Sequence, residues 1–403
     1  MKKAIPVWIL SLMLSSGCAH SPLFPSVEKK EAPASSHLFS RDGFAQITVK
    51  RRPGVRPILA VGRSLNRIES LSIEVLAVPQ NELDSSLAKL KTDPSVAYAQ
   101  ACHTVRAVVN APNDPLFSKQ YGPQITKTVE AWQYSKGDKV TIAIVDTGID
   151  LGHPELKAKL VAGYNVMKKG QPPRDDNGHG THCAGVAAAS TFNGVGIAGM
   201  APNAKLMPVK VLGPGGNGSD AGVAEGITWA ADRGADIISL SLSGPEESKV
   251  MKEACDYAAA KGALVIAAMG NAGNGEKGYP AAYPGVMAVG AADEKDETAD
   301  FSQYGEWISV SAPGVAIYST FPTYQVDMNE YGYPQNYAAL DGTSMATPAV
   351  AGLAALVKSL HPGLDAAGIK QRIEKSADDR GKAGFDAHFG HGRVNALRAL
   401  SNS

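Results

Sequence analysis

Between residues 138 and 360 the sequence alternates near-continuous apolar runs of strand length with stretches of helical character, and nothing else restricts its fold so strongly. The runs are Val140–Val145, Lys205–Leu212, Asp236–Leu242 and Ala263–Ala268. A strand with one wet face carries polar residues at every second position. Strands without that alternation are buried on both faces, as in a parallel sheet layered between helices. Helices expected over Thr181–Ala189, Ala221–Arg233, Glu247–Lys261 and Ser344–Leu360 would supply those layers. The expected fold class is therefore α/β, a doubly wound parallel sheet with helices on both faces.

Residues 44–109 read as a separate small α/β unit. Ala45–Val49, Ser72–Val78 and Val96–Ala99 have strand character, and Asn81–Leu90 carries Leu83, Leu87 and Leu90 on one helical stripe. Polar Asn110–Pro115 breaks the pattern and opens a second domain at 110–403. Residues 19–43, rich in Ser, Pro, Ala and charge, read as a flexible tether. Met1-Lys2-Lys3 followed by apolar Ala4–Leu14 reads as a signal peptide over 1–18, too short to remain as a span. No second apolar run looks long enough to cross a membrane. The formal net charge is zero, which gives no reason to expect a nucleic-acid partner. Cys18, Cys102, Cys183 and Cys255 form no dense disulfide pattern.

Three segments hold residue types suited to acyl transfer: Val145-Asp146-Thr147-Gly148, His179-Gly180-Thr181-His182 and Gly342-Thr343-Ser344-Met345-Ala346-Thr347-Pro348. Each alone has an ordinary explanation, such as a turn-capping Asp, a loop His or an N-capping Ser. Together they supply a nucleophile, a base and an orienting carboxylate. A serine hydroxyl is a weak nucleophile until an imidazole takes its proton. The imidazole in turn needs a carboxylate to fix its tautomer and stabilise its cation. Asp146 closes an expected buried strand. His179 and Ser344 open expected helices, whose N-termini bring positive partial charge and free N–H groups to the reaction.

On these motifs the chain, over about residues 112–400, resembles the subtilisin-like serine proteases and within them the thermitase branch, whose residue order Asp, His, Ser it shares. The resemblance implies a subtilisin-like fold and a serine endopeptidase that hydrolyses polypeptides through an acyl-enzyme. It makes 44–109 an inhibitory pro-segment, an intramolecular partner of the enzyme. Ala267-Ala268-Met269-Gly270-Asn271 matches the segment whose asparagine donates to the oxyanion, with the Ser344 N–H as second donor. Gly216-Asn217-Gly218 and Ser241-Leu242-Ser243 match the two edges that sandwich an extended substrate. Ser243 replaces the usual glycine, which narrows that wall. Ala268, Met269 and Gly270 would line an apolar specificity pocket. Thr347-Pro348-Ala349 departs from the usual Thr-Pro-His, which implies a local packing change.

The resemblance also implies a structural Ca2+ ion held by Asp114, Glu155 and Asn193 and by the carbonyls of Ser190, Val195 and Ile197, an all-oxygen set that suits the ion. A second family calcium site is not expected near Met167–Gln171, where Lys168 and Lys169 stand. Cys183 follows His179 by four residues on the same helical face and reads as a small buried hydrophobe. Ser15-Ser16-Gly17-Cys18 resembles a bacterial lipoprotein signal, which makes Cys18 a lipidation site and the precursor an exported, membrane-anchored protein whose catalytic domain could be released outside the cell. Two other readings compete. An inactive, peptide-binding surface lipoprotein would not need Asp146, His179, Asn271 and Ser344 together. An ester hydrolase of another α/β family would show a Gly-x-Ser-x-Gly elbow, whereas Ser344 sits in Gly-Thr-Ser-Met-Ala.

Overall fold

The computed structural model describes residues 40–41, 43–55, 60–103 and 111–401. The expected signal peptide, Cys18 and almost all of the tether lie outside the described residues. The chain forms two compact units that divide between Val108 and Val109.

The first unit contains β1 (Ser40–Arg41), β2 (Phe44–Arg51), β3 (Arg63–Ile68), β4 (Ile73–Pro79), α1 (Leu83–Thr92) and β5 (Val96–Ala101). The sheet is antiparallel, with β4 and β5 flanking β2 and with β3 beyond β4. Ala45, Ile47 and Val49 alternate on the inner face of β2. They pack with Leu76, Val78, Leu83, Leu90 and Val96 into one small core. Strand β3 was not expected: all six of its residues are exposed, so it carries no apolar alternation.

The second unit starts with two short helices, α2 (Gly122–Ile125) and α3 (Thr128–Ala131). There follow β6 (Thr141–Asp146), β7 (Tyr164–Asn165), α4 (His179–Ala188), β8 (Lys205–Lys210), α5 (Asp220–Asp232) and β9 (Ile237–Leu240). Next come α6 (Lys249–Ala260), β10 (Leu264–Ala268), β11 (Met287–Ala292) and β12 (Val310–Pro313). A hairpin of β13 (Ile317–Thr320) and β14 (Tyr337–Leu340), then α7 (Thr343–Leu360), α8 (Ala366–Ser376) and α9 (Ala396–Leu400), complete the unit. The main sheet has seven parallel strands in the order β12-β11-β10-β9-β6-β8-β7.

Both faces of this sheet are covered, which explains the missing alternation. Ile142 and Ile144 of β6 point to one core with α4 and α7. Ala143 and Val145, between them, point to the other core with α5 and α6. The apolar helix α7 is long enough to cross a membrane by length and composition, which corrects the expectation that no second run qualifies. It is instead a core helix, buried from Met345 to Val357.

Two strands end earlier than expected, and both truncations build the site. The N–H groups of Val211 and Leu212 turn to Asp146 O, so β8 stops at Lys210. Ser241 and Leu242 likewise leave the sheet after β9. Strand order reverses between β6 and β9, and ligands of open α/β sheets bind beyond the carboxyl ends of strands at such a reversal.

Candidate active site

Asp146, at the carboxyl end of β6, is fully buried. His179 opens α4, with its side chain 22% exposed. The His179 Nδ1–H donates to Asp146 Oδ1 over 2.8 Å, a charge-assisted bond of about 1.5–3 kcal/mol. Burial pulls the imidazole pKa down, but the Asp146 carboxylate outweighs it and leaves His179 well above the ordinary histidine value. His182, on the same helix, is pushed down to about 3 by burial and faces the carbonyls of Ile317 and Ala338. It is therefore a buried neutral ring away from the cleft.

The loop before His179 is fixed by Asp175, which the motifs did not single out. Its Oδ1 accepts from Thr147 Oγ1, Asn177 N and Gly178 N, and its Oδ2 accepts from Thr181 N and Thr181 Oγ1. The acidic pair Asp175-Asp176 just before a helix start was a signal that could have pointed to it. Gly180 N–H donates to Thr147 Oγ1, and a Cβ at Gly180 would overlap Gly148 O at 2.2 Å. A glycine after the histidine thus lets α4 lie against the Asp146 turn.

Ser344 is the second residue of α7. Its Oγ donates to Ser241 O at 3.1 Å, and no hydrogen bond joins it to His179 among the described residues. Nucleophile and base commonly tighten only once substrate is bound. Ser241 Oγ in turn donates to Ser344 O at 2.7 Å and ties the helix start to the end of β9.

Asn271 follows β10, and its Oδ1 accepts from Thr343 N and Thr343 Oγ1 at 2.9 and 2.8 Å. That leaves Nδ2 directed elsewhere. A Cβ at Gly342, whose φ is +149°, would lie 3.3 Å from Asn271 Nδ2 and 3.5 Å from Ser344 N. Two N–H donors therefore border one small space that glycine keeps open. The Ser344 N–H makes no hydrogen bond to another described residue.

The expected substrate edges lie around one groove. Gly216, Asn217, Gly218, Leu242 and Ser243 line a cavity of about 350 Å³ with Val223 and Met251 at its floor and Asp220, Glu246 and Glu247 on its rim. Ala268 and Met269 are buried, and Met269 packs into the core, so its side chain does not line the specificity pocket as expected. Gly270 is flanked by Ser243 Oγ and by Gln303 Oε1, and a Cβ there would overlap the Gln303 amide. Gln303, held by its Nε2–H to Glu276 O at 2.7 Å, sets a polar group beside Gly270. It lies on a loop with no motif, and no sequence signal marked it.

The expected calcium residues interlock around residues 190–197. Asp114 accepts from Phe192 N and Asn193 N, Asn193 Oδ1 accepts from Val195 N, and Ser190 N donates to Glu155 O. Glu155 Oε1 accepts from Ile197 N, while Oε2 is buried without a hydrogen-bond partner. Burial pushes the Glu155 carboxyl up to about 7. A buried acid with an orphaned oxygen beside Asp114 is an environment that a dication would relieve, so these residues fit Ca2+. Lys169, where the second site was not expected, pairs with Glu225 at 2.8 Å. Cys102, Cys183 and Cys255 are free thiols.

Comparison with known proteins follows the geometry. The profile of the Subtilase family matches residues 137–392. Thermitase of Thermoactinomyces vulgaris is 47% identical over 290 residues, 72% of this chain and 99% of that protein. An alkaline protease of Alkalihalobacillus alcalophilus is 36% identical over 375 residues, 93% of this chain and 87% of that protein. Among solved structures, a protease from Pseudoalteromonas arctica superimposes with a TM-score of 0.65 at 30% identity, covering 72% of this chain and 99% of that one.

Proposed function

The chain belongs to the subtilase family and is a serine endopeptidase, and we propose that Asp146, His179, Ser344 and Asn271 carry its reaction. The observation that supports this assignment best is the Asp146–His179 bond of 2.8 Å beside two N–H donors that border one space. Ser344 Oγ turns from Ser241 O to His179 Nε2, which takes its proton as Oγ attacks the substrate carbonyl carbon. The negative oxygen is met by the Ser344 N–H and Asn271 Nδ2. The C–N bond breaks as His179 returns the proton to the leaving amine, which leaves an ester on Ser344. Water, deprotonated by His179, then cleaves that ester and restores the serine.

Substrate lies extended between Gly216–Gly218 and Ser241–Ser243, adding a strand between the two edges. The residue before the cut enters the space at Gly270, where Ser243 and Gln303 limit its bulk. A side chain further upstream enters the groove near Leu242, whose acidic rim favours a basic group. Salt weakens that preference because the rim is exposed.

Residues 1–18 act as an export signal, Cys18 carries lipid, 19–43 tether the protein and 44–109 are an inhibitory pro-segment removed on maturation, so the precursor is anchored and the peptidase leaves it. The alignment with an alkaline protease covers 375 residues, 93% of this chain, and so reaches past 110–403, which supports a leading segment joined to the peptidase. Asp114, Glu155 and Asn193, with the carbonyls of Ser190, Val195 and Ile197, hold Ca2+, which stabilises the loop without entering the chemistry. The test of the whole reading is casein hydrolysis by wild type and by Ser344→Ala, with mass spectrometry of both products. Activity lost on substitution, and a precursor that stays full length after signal removal, is the expected result. Equal activity in a Ser344→Ala sample free of other proteases would falsify the assignment.

A further inference from the structure

We propose that Lys210 is a positioning residue of this site: its ammonium ties the turn after Asp146, the loop before His179 and the root of the Gly216–Gly218 edge to one point. The inference rests on the peptidase reading and extends it to a group that touches no substrate. Lys210 ends β8 in register with Asp146 on β6, and its side chain is 4% exposed. A buried ammonium is costly unless each N–H finds an acceptor. Lysine has three donors, and all three are matched here. Nζ donates to Thr147 O at 2.7 Å, to Leu212 O at 2.8 Å and to Asp176 Oδ1 at 2.6 Å.

Each acceptor belongs to a different working part. Thr147 N donates to Asp146 Oδ1, and Thr147 Oγ1 accepts from Gly180 N, so this residue touches both helix α4 and the carboxylate. Asp176 adjoins Asn177, whose Oδ1 accepts from His179 N and whose Nδ2 donates to Pro214 O in the cleft-edge loop. Leu212 opens that loop, which Gly213 N closes onto Asn217 O at 2.9 Å. Nothing apolar of the same length could hold three carbonyl and carboxylate oxygens together. Loss of the ammonium leaves them to repel one another, and a misplacement of about 1 Å at a reacting group costs about 100-fold in rate.

The test compares wild type, Lys210→Met and Lys210→Arg on a small p-nitrophenyl ester and on an extended p-nitroanilide peptide. Rates are divided by active-site concentration from burst titration, and melting temperatures are measured in parallel. Lys210→Met is expected to lower kcat on the ester by about 10–100-fold. It should also raise KM for the peptide alone, because the ester does not reach the cleft edge. Lys210→Arg keeps the charge and several donors, and should recover most of the ester rate. Should Lys210→Met fail to fold, Asp176→Asn removes one charged acceptor at a half-exposed position and should lower the ester kcat by about 2–5-fold. A lower melting temperature with unchanged kcat and KM per active site in the folded variants overturns the proposal. An inactive wild type overturns the peptidase reading instead.

Discussion

Helices α4 and α7 both begin at a glycine and both aim their first turn at the site, yet their backbone donors end in opposite states. In α4 the N–H groups of His179, Gly180 and Thr181 are taken by Asn177 Oδ1, Thr147 Oγ1 and Asp175 Oδ2. In α7 Thr343 N and Met345 N are taken, but Ser344 N is left open between them. The outer helices α5 and α6 differ from both, since Ser219 and Ser248 cap them by side chain. Such a cap is worth about 1 kcal/mol and fills the terminus. In the proposed reaction the start of α4 holds the base still, with charged groups around it. The start of α7 is held by neutral bonds and, on the same proposal, keeps one donor for charge that exists only during the reaction.

Changes on the two sides should therefore differ in kind as well as size. The largest loss is expected from Ser344→Ala, about 10⁶-fold in kcat, a magnitude carried over from a related protease. Asp146→Asn should cost about 10⁴-fold. It should also move the ascending limb of kcat/KM to lower pH. The reactive form is neutral imidazole, so a carboxylate that raises the His179 pKa delays activity to higher pH, and its removal reverses that shift. Asn271→Leu should lower kcat by about 10²–10³-fold with little change in KM, again by analogy with a relative. It should leave the pH limb in place. A limb that moves in Asn271→Leu as far as in Asp146→Asn would erase the distinction between the two helix starts.

The sequence made the α4 and α7 starts visible for the same reason that it hid their supports. Asp146, His179 and Ser344 sit in short motifs that resemble a known family, and periodicity places those motifs where an apolar strand ends or an apolar helix begins. Asp175 and Gln303 act through polar contacts on loops, where no period exists to mark them. Lys210 was read only as part of an apolar run, because pattern alone says nothing about the three oxygens that meet it. Strands β6, β8, β9 and β10 were legible from their buried runs. Strands β11 and β12 were not, since Met287–Ala292 is rich in Ala and Gly and Val310–Pro313 has four residues. The ends of β8 and β9 were overrun because Val211, Leu212 and Leu242 continue the apolar pattern beyond the last paired residues.

Helix α4 is held at its far end too, which a weaker perturbation can probe. After Ala189 the chain enters the loop where Ser190 N donates to Glu155 O at 3.1 Å, beside the proposed calcium ligands. An ion bound only by the folded protein, present at about 100 times its Kd, adds about 2.7 kcal/mol. Scanning calorimetry in calcium and in EDTA should show a lower melting temperature without the ion. The pH limb should not move, because the base end of α4 is fixed separately by Asp175. An unchanged melting temperature rules out a stabilising ion at this loop.

The smallest effect is expected where the two helix starts touch. Cys183 Sγ stands 3.9 Å from His179 Nδ1 on its own helix and donates to Ser344 O on α7 at 3.5 Å. Cys183→Ala deletes one buried sulfur, which should cost about 1 kcal/mol of stability. It breaks none of the bonds that hold His179 to Asp146 or Thr343 to Asn271, so kcat should stay within about threefold of wild type. The sulfur still matters for chemical attack. Burial pushes the Cys183 thiol pKa up, so alkylating agents, which need the thiolate, should modify it slowly. A mercurial that does reach it would place a metal atom against both His179 and Ser344 and stop hydrolysis. Cys255 is buried with its pKa pushed up to about 12, and Cys102 lies in the first unit. Mercurial inhibition of wild type should therefore vanish in Cys183→Ala. If the variant stays equally sensitive, another thiol is responsible, and Cys183 is not the contact through which the two helix starts can be forced apart.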